Sequence, residues 1–282
     1  MQVFVDRVTG DSVIPTFAPD VLLLQEVRGC SLQKVVKLLN AALPRQEYGL
    51  PVNRPERPSF QDGGRRVIHY DTGIIINRKT VGRVRKGNGD WTPAGHFRTS
   101  YAWDDRATSE RIAVANHQFL LVQRRNANGG LTGAVVPLVS VHLSRPTKVK
   151  EHRRTYYKKL WARRIAAKVN SKFDTFKPDY KVIGGDFNST RCAGTVGGYC
   201  PWHPWYSYLR DTKGYKDALF QPDCKSCYTE HMRWNSRQYS LGVDYIFHAG
   251  ADANLVGKDT AATGDNVYSD HIFRWARLSD SP

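Results

Sequence analysis

Val182-Ile183-Gly184-Gly185-Asp186-Phe187-Asn188 is the stretch on which the reading of this chain turns. Its β-branched start predicts a buried strand that runs into a pair of glycines. The glycines let the backbone turn tightly and approach a ligand closely. Phe187 can anchor the turn in the core. Asp186 and Asn188, at i and i+2 of an extended segment, are expected to point the same way. Taken alone, the motif could also be a plain Asx-rich turn.

Other short motifs share its layout. Val21-Leu22-Leu23-Leu24 predicts a fully buried strand that ends in Gln25-Glu26, and Leu138-Val139-Ser140-Val141 ends in His142. Val243-Asp244-Tyr245-Ile246-Phe247 places Asp244 at the start of a strand, and Ser269-Asp270-His271 precedes another. Apolar runs that end in polar residues are how strands deliver polar groups to one edge of a sheet. Glu26 is a poor core residue, because burying an unpaired charge is costly. Either histidine alone could be structural. Carboxylates for a hard cation together with two histidines for proton traffic are what cleavage of a phosphate ester needs.

Together these motifs resemble the endonuclease/exonuclease/phosphatase superfamily, whose best-known nuclease is deoxyribonuclease I. The resemblance runs from about Pro19 to Trp275. It implies an α+β fold, a deoxyribonuclease I-like four-layer α/β/β/α sandwich with two packed mixed β-sheets, in one domain over residues 1–282. It also implies catalytic roles for His142, Asp186, Asn188, Asp244 and His271. In the family the aspartate matching Asp186 orients or deprotonates the attacking water, and the residue matching Asn188 holds the phosphate. His142 corresponds to the histidine that protonates the leaving oxygen or polarises the phosphate. Asp244 accepts a hydrogen bond from His271 and so fixes its tautomer. Glu26 matches a ligand of the catalytic Mg²⁺, with Mn²⁺ or Ca²⁺ as alternatives, and Asp270 matches a residue close to that metal. One feature departs from the pattern. Family members begin with a strand carrying a metal-binding asparagine, and none of residues 1–18 is asparagine. That strand, and any signal peptide before it, is expected to be missing from the sequence.

Composition narrows the partner. Lys and Arg number 42 against 26 Asp and Glu, a formal charge of +16, which creates a field that attracts polyanions. With the motif set, this predicts a Mg²⁺-dependent phosphodiester hydrolase acting on nucleic acid, DNA first. The alternatives are a lipid phosphodiesterase or inositol-phosphate phosphatase of the same superfamily, or a non-catalytic nucleic-acid-binding module. A lipid enzyme would expose an aromatic hairpin, and Trp202-His203-Pro204-Trp205-Tyr206-Ser207-Tyr208 is the candidate. No run of about 18 apolar residues predicts a membrane span, the N-terminus lacks the features of a signal peptide, and a monomer is expected. Of the five cysteines, Cys192 with Cys200 and Cys224 with Cys227 predict two local disulfides or one cross-paired set. Either would place the protein in an oxidising compartment and favour secretion. A structural zinc is the alternative for those four thiols, and Cys30 is left as a buried free thiol.

The remaining pattern predicts a helix from an N-cap at Ser31 to Leu43, an exposed loop over 51–64, and a buried strand over 72–76. A polar excursion over 81–109 is placed near the substrate. Strands at 111–115 and 135–142 flank a turn at 126–130. A basic helix over 148–172 carries an apolar stripe of Tyr157, Leu160, Trp161, Ile165 and Val169. Its remaining faces, with Arg153, Arg154, Lys158, Arg163, Arg164 and Lys168, are read as solvated. A last strand is expected over 271–275.

Overall fold

The computed structural model describes residues 18–25, 29–52, 61–62, 65–66, 72–99, 115–143, 151–191, 202–218, 220, 230–234, 237–241, 244–250, 252–258 and 274–279. The chain opens with β1 (Val21–Leu24), α1 (Gly29–Ala42), β2 (Tyr48–Gly49), and the short pair β3 (Gln61–Asp62) and β4 (Arg65–Arg66). β5 (Gly73–Asn77), β6 (Val81–Arg83), β7 (Gly95–Thr99), β8 (Ala115–Arg125) and β9 (Leu131–His142) follow, then the long helix α2 (Glu151–Phe173). After β10 (Lys181–Asp186), the turn of helix α3 (Pro204–Ser207) widens into a π-type turn over Tyr208–Thr212. The rest is β11 (Lys216–Asp217), β12 (Glu230–Trp234), β13 (Arg237–Leu241), β14 (Asp244–Ala249), β15 (Asp252–Lys258) and β16 (Arg274–Ser279).

Two sheets dominate. The smaller has the order β1-β5-β2 and is antiparallel throughout. The larger has seven strands in the order β11-β14-β10-β9-β8-β6, with β7 also on β8. Only β9 and β10 run parallel in it; the other pairings are antiparallel. Among the described residues, therefore, the larger sheet is mixed and the smaller is antiparallel, and together they make the expected α+β sandwich.

Side-chain alternation explains the layering. In β5, Ile75 faces one way and packs with Leu22, Leu32, Val35 and Leu39, so α1 covers the outer face of the small sheet. Its neighbours Ile74 and Ile76 face the other way and meet Leu120, Val122, Val136, Leu138 and Val182 between the sheets. On the far side of the large sheet, Leu121, Val139, Val141 and Ile183 pack under Trp161, Ile165, Val169 and Phe173 of α2. The result is four layers: helix, small sheet, large sheet, helix. Period-two strands with both faces apolar belong in the inner layers of such a sandwich.

Several boundaries move. α1 begins at Gly29, so Ser31 lies inside it and not at an N-cap, a shift of the size at which helix ends fray. In β1 only Leu22 is fully buried, and among the described residues β1 is the outermost strand of its sheet. The predicted excursion over 81–109 contains two strands, β6 and β7, both hydrogen-bonded to β8. Their glycines and arginines had hidden the strand pattern. The segments 53–60, 100–114 and 259–273 lie outside the described residues.

Candidate active site

Two strands end and a third begins at one edge of the large sheet. In register, His142 of β9 pairs with Asp186 of β10, and Asp186 pairs with Asp244 of β14. The three thus occupy one row across adjacent strands. Counting back by twos from Asp186 reaches Val182, and from His142 reaches Leu138, both between the sheets. The row therefore lies on the inter-sheet face, where the sandwich opens at its edge.

His142 Nε2 lies 3.4 Å from Asp186 Oδ2, and both side chains are almost fully buried. Asp186 is further held by Asn188, whose backbone N–H donates to Oδ1 at 2.5 Å and whose Nδ2 donates to Oδ2 at 2.6 Å. Asn188 Nδ2 also donates to the carbonyl of Leu143 at 2.8 Å, and the Leu143 N–H donates to the carbonyl of Asp186 at 2.8 Å. Asp186 and Asn188 do come together, but not by extended alternation. Asn188 adopts φ 48°, the left-handed region, and folds its side chain back onto Asp186. Asparagine tolerates that conformation because its short amide can bond locally.

Gly185 makes the turn possible. Its φ is 136°, and a Cβ there would sit 2.1 Å from the Val141 carbonyl oxygen and 2.7 Å from Gln25 Nε2. Only glycine fits. Behind the turn, Phe187 is fully buried, stacked on Trp205 at 5.0 Å between centroids and edge-on to Tyr245 and Phe247. Trp205 Nε1 donates to Ser189 Oγ and the Tyr245 hydroxyl donates to the Ser189 carbonyl, both at 3.2 Å. The aromatic segment after Trp202 is thus largely core: Trp205 and Tyr206 are wholly buried, which corrects the reading of an exposed membrane hairpin. Burial and the adjacent Asp217 carboxylate, which accepts the Tyr206 hydroxyl at 3.0 Å, push the Tyr206 phenol far above its ordinary range.

The small sheet contributes the other wall. Gln25 Nε2 donates to Ser140 Oγ at 3.2 Å, and Ser140 Oγ donates to the Leu24 carbonyl at 3.0 Å. The end of β1 is thereby fastened two residues before His142. Glu26, Asp270 and His271 lie outside the described residues, as do Cys192, Cys200, Cys224 and Cys227. Among the described residues there is no cluster of three or more His, Cys, Asp or Glu side chains able to hold a metal.

Two features were missed in the sequence. Lys158, read as solvated, is buried on α2, and its Nζ donates to the carbonyls of Phe187 at 2.6 Å and Asn188 at 2.5 Å. Its position three and four residues before the buried Trp161 and Ala162 put it on the apolar stripe, and that spacing could have found it. His117 on β8 is fully buried beside Phe97, with 5.1 Å between ring centroids. Burial, and then the neighbouring His142 and His96, lower its pKa to about 3.

Residues 11–271 match the endonuclease/exonuclease/phosphatase family. No curated protein matches the chain in sequence. Among solved structures, an endonuclease/exonuclease/phosphatase from Bacteroides vulgatus is similar over 99% of this chain and 89% of its own, at 15% identity and TM-score 0.59. The human Nocturnin catalytic domain with bound sulfate anion is similar over 94% of this chain and 83% of its own, at 13% identity and TM-score 0.55. Humanized D. rerio TDP2 matches over 94% of this chain and 88% of its own, at 14% identity and TM-score 0.52. At such identities the likeness is one of fold, that of deoxyribonuclease I-like proteins. Sequence match and layered fold lead to the same conclusion: the chain belongs to the endonuclease/exonuclease/phosphatase family.

Proposed function

We propose that this protein is a Mg²⁺-dependent phosphodiesterase that cleaves nucleic acid, DNA first. Membership of the family supports hydrolysis of phosphate esters. The observation that carries the finer reading is the row of His142, Asp186 and Asp244, with Asn188 folded against it. Each carboxylate oxygen has two lone pairs, so Asp186 keeps acceptor capacity for a water after binding Asn188. It can orient that water and take its proton, while His142 donates to the phosphate or the leaving oxygen. Both hydrogens of Asn188 Nδ2 are engaged, by Asp186 and Leu143. To hold a phosphate oxygen, Asn188 exchanges one of these bonds for it. His271, oriented by Asp244, would supply the second imidazole.

The carboxylates at this edge are hard oxygen donors, which fit Mg²⁺. Glu26 and Asp270 would hold the ion beside them, and when bound it would offset negative charge developing on the phosphate oxygens.

The charge of +16 favours a polyanionic substrate, and exposed Lys159, Arg163 and Arg164 on α2 contribute to it. Burial of Trp205 and Tyr206 removes the main feature that favoured a lipid substrate. A plasmid-nicking assay with and without EDTA, across a salt series, tests the reading. Nicking that EDTA abolishes, with binding that weakens steeply as salt rises, is expected. Salt-dependent binding without any nicking would instead indicate a non-catalytic nucleic-acid-binding module. Hydrolysis of lipid or inositol-phosphate esters with no action on DNA would replace the substrate.

A further inference from the structure

We infer that Lys158 is a positioning residue of the active site, the donor that fixes the Phe187–Asn188 turn so that Asp186 and Asn188 keep their geometry toward substrate. This inference rests on the functional reading above. A lysine in the interior of a helix–sheet interface is rare, because burying its amine without partners is costly. Here it takes a place on the apolar stripe of α2 that a leucine or alanine would fill. Its Nζ reaches two successive carbonyls, those of Phe187 and Asn188.

Those carbonyls need a donor for a reason particular to this turn. β10 ends at Asp186, so neither carbonyl belongs to its ladder, and the left-handed φ of Asn188 turns the chain away from the sheet. An amine with three hydrogens can satisfy both from one side. The same two residues carry the groups that grip Asp186: the Asn188 N–H and Nδ2 on its two carboxylate oxygens. Moving the carbonyls therefore moves the carboxylate's partners. There is also an electrostatic consequence. Two carbonyl dipoles beside a phosphate site would repel an anion, and a lysine donating to both offsets them.

The predicted defect falls on turnover more than on substrate affinity, since misplacing reacting groups by about 1 Å can cost about 10²-fold. The experiment compares wild type, Lys158→Met, Lys158→Gln, Lys158→Arg and Asp186→Asn. It reads kcat and KM on a duplex oligonucleotide with Mg²⁺, and amide hydrogen exchange of the intact chain. Expected for both Met and Gln variants are a cooperative fold, kcat lower by about 10²-fold, KM within about threefold, and faster exchange confined to residues 186–189. Arginine, which can still donate to two carbonyls, should restore kcat to within about tenfold of wild type. Wild-type kcat in the folded Met or Gln variant would overturn the inference, as would a loss that arginine does not relieve. If the wild-type chain leaves DNA uncut, the nuclease reading fails. The exchange data then decide the role of Lys158, since unchanged protection of the Asn188 N–H in the Gln variant sinks it.

Discussion

Gln25 donates its side-chain amide to the hydroxyl of Ser140 at 3.2 Å, across the gap between the two sheets. Because Ser140 stands two residues before His142 on the same face of β9, this bond brings the end of β1 to the row that carries Asp186. The residue after Gln25 is Glu26. Its proposed role is metal affinity, so Glu26→Gln should shift the Mg²⁺ dependence of cleavage upward by about 10–100-fold. Most of the rate should return at saturating Mg²⁺. Activity titrations against Mg²⁺ check this, and a rate loss that no Mg²⁺ concentration relieves would assign Glu26 to proton transfer.

Asp186→Asn should reduce kcat by at least about 10³-fold, and His142→Ala by about 10²–10⁴-fold. The two differ in their effect on the fold. Asparagine at 186 must turn an NH₂ toward one of the two Asn188 donors that now meet carboxylate oxygens. Asp186→Asn should therefore also destabilise by about 1–3 kcal/mol, read as a shift of the urea midpoint. Equal kinetic loss with no stability change would mean that the Asn188 contacts rearrange freely.

Gly185→Ala tests the turn without touching a polar group. The new methyl would meet the Val141 carbonyl at 2.1 Å, in a backbone conformation alien to alanine. A destabilisation of about 2–4 kcal/mol is expected. Gly129, with φ 81° and open space around it, is the control. Alanine there should cost only about 1 kcal/mol. Similar urea midpoints for the two variants would show that β9 and β10 separate easily at this point.

His117 gives stability a pH dependence. Its folded pKa is lowered to about 3 from 6.5, so below 6.5 the unfolded chain binds a proton that the native state refuses. The folded state therefore loses stability as pH falls through this window, by up to about 1.4 kcal/mol per pH unit from this group. Above pH 6.5 the contribution is constant. Replacing His117 by phenylalanine should flatten the slope of melting temperature against pH between about 4 and 6. A slope identical to wild type would place the acid sensitivity in the carboxylates.

The sequence made the strand ends legible because β-branched runs stop abruptly at His142 and Asp186. The layered sandwich came from the family resemblance of the motifs, and strands apolar on both faces agree with it. What it concealed has a common cause: partners distant in the chain. Lys158 reads as surface until a turn some thirty residues later offers two carbonyls. Trp205 and Tyr206 read as an exposed aromatic segment because Pro204 and polar neighbours surround them, yet they close the core beneath Phe187. β6 and β7 escape pattern analysis because glycine and arginine interrupt them, and pairing with β8 overrides that weak local preference.

The row itself has a consequence for synthesis. β9 and β10 are parallel neighbours, and the strand that completes the row, β14, is made well after both. A ribosome-bound chain can pair β9 with β10 and still lack Asp244. Long-range pairings of this kind form late in folding. The row of His142, Asp186 and Asp244 is thus complete only when most of the chain has emerged.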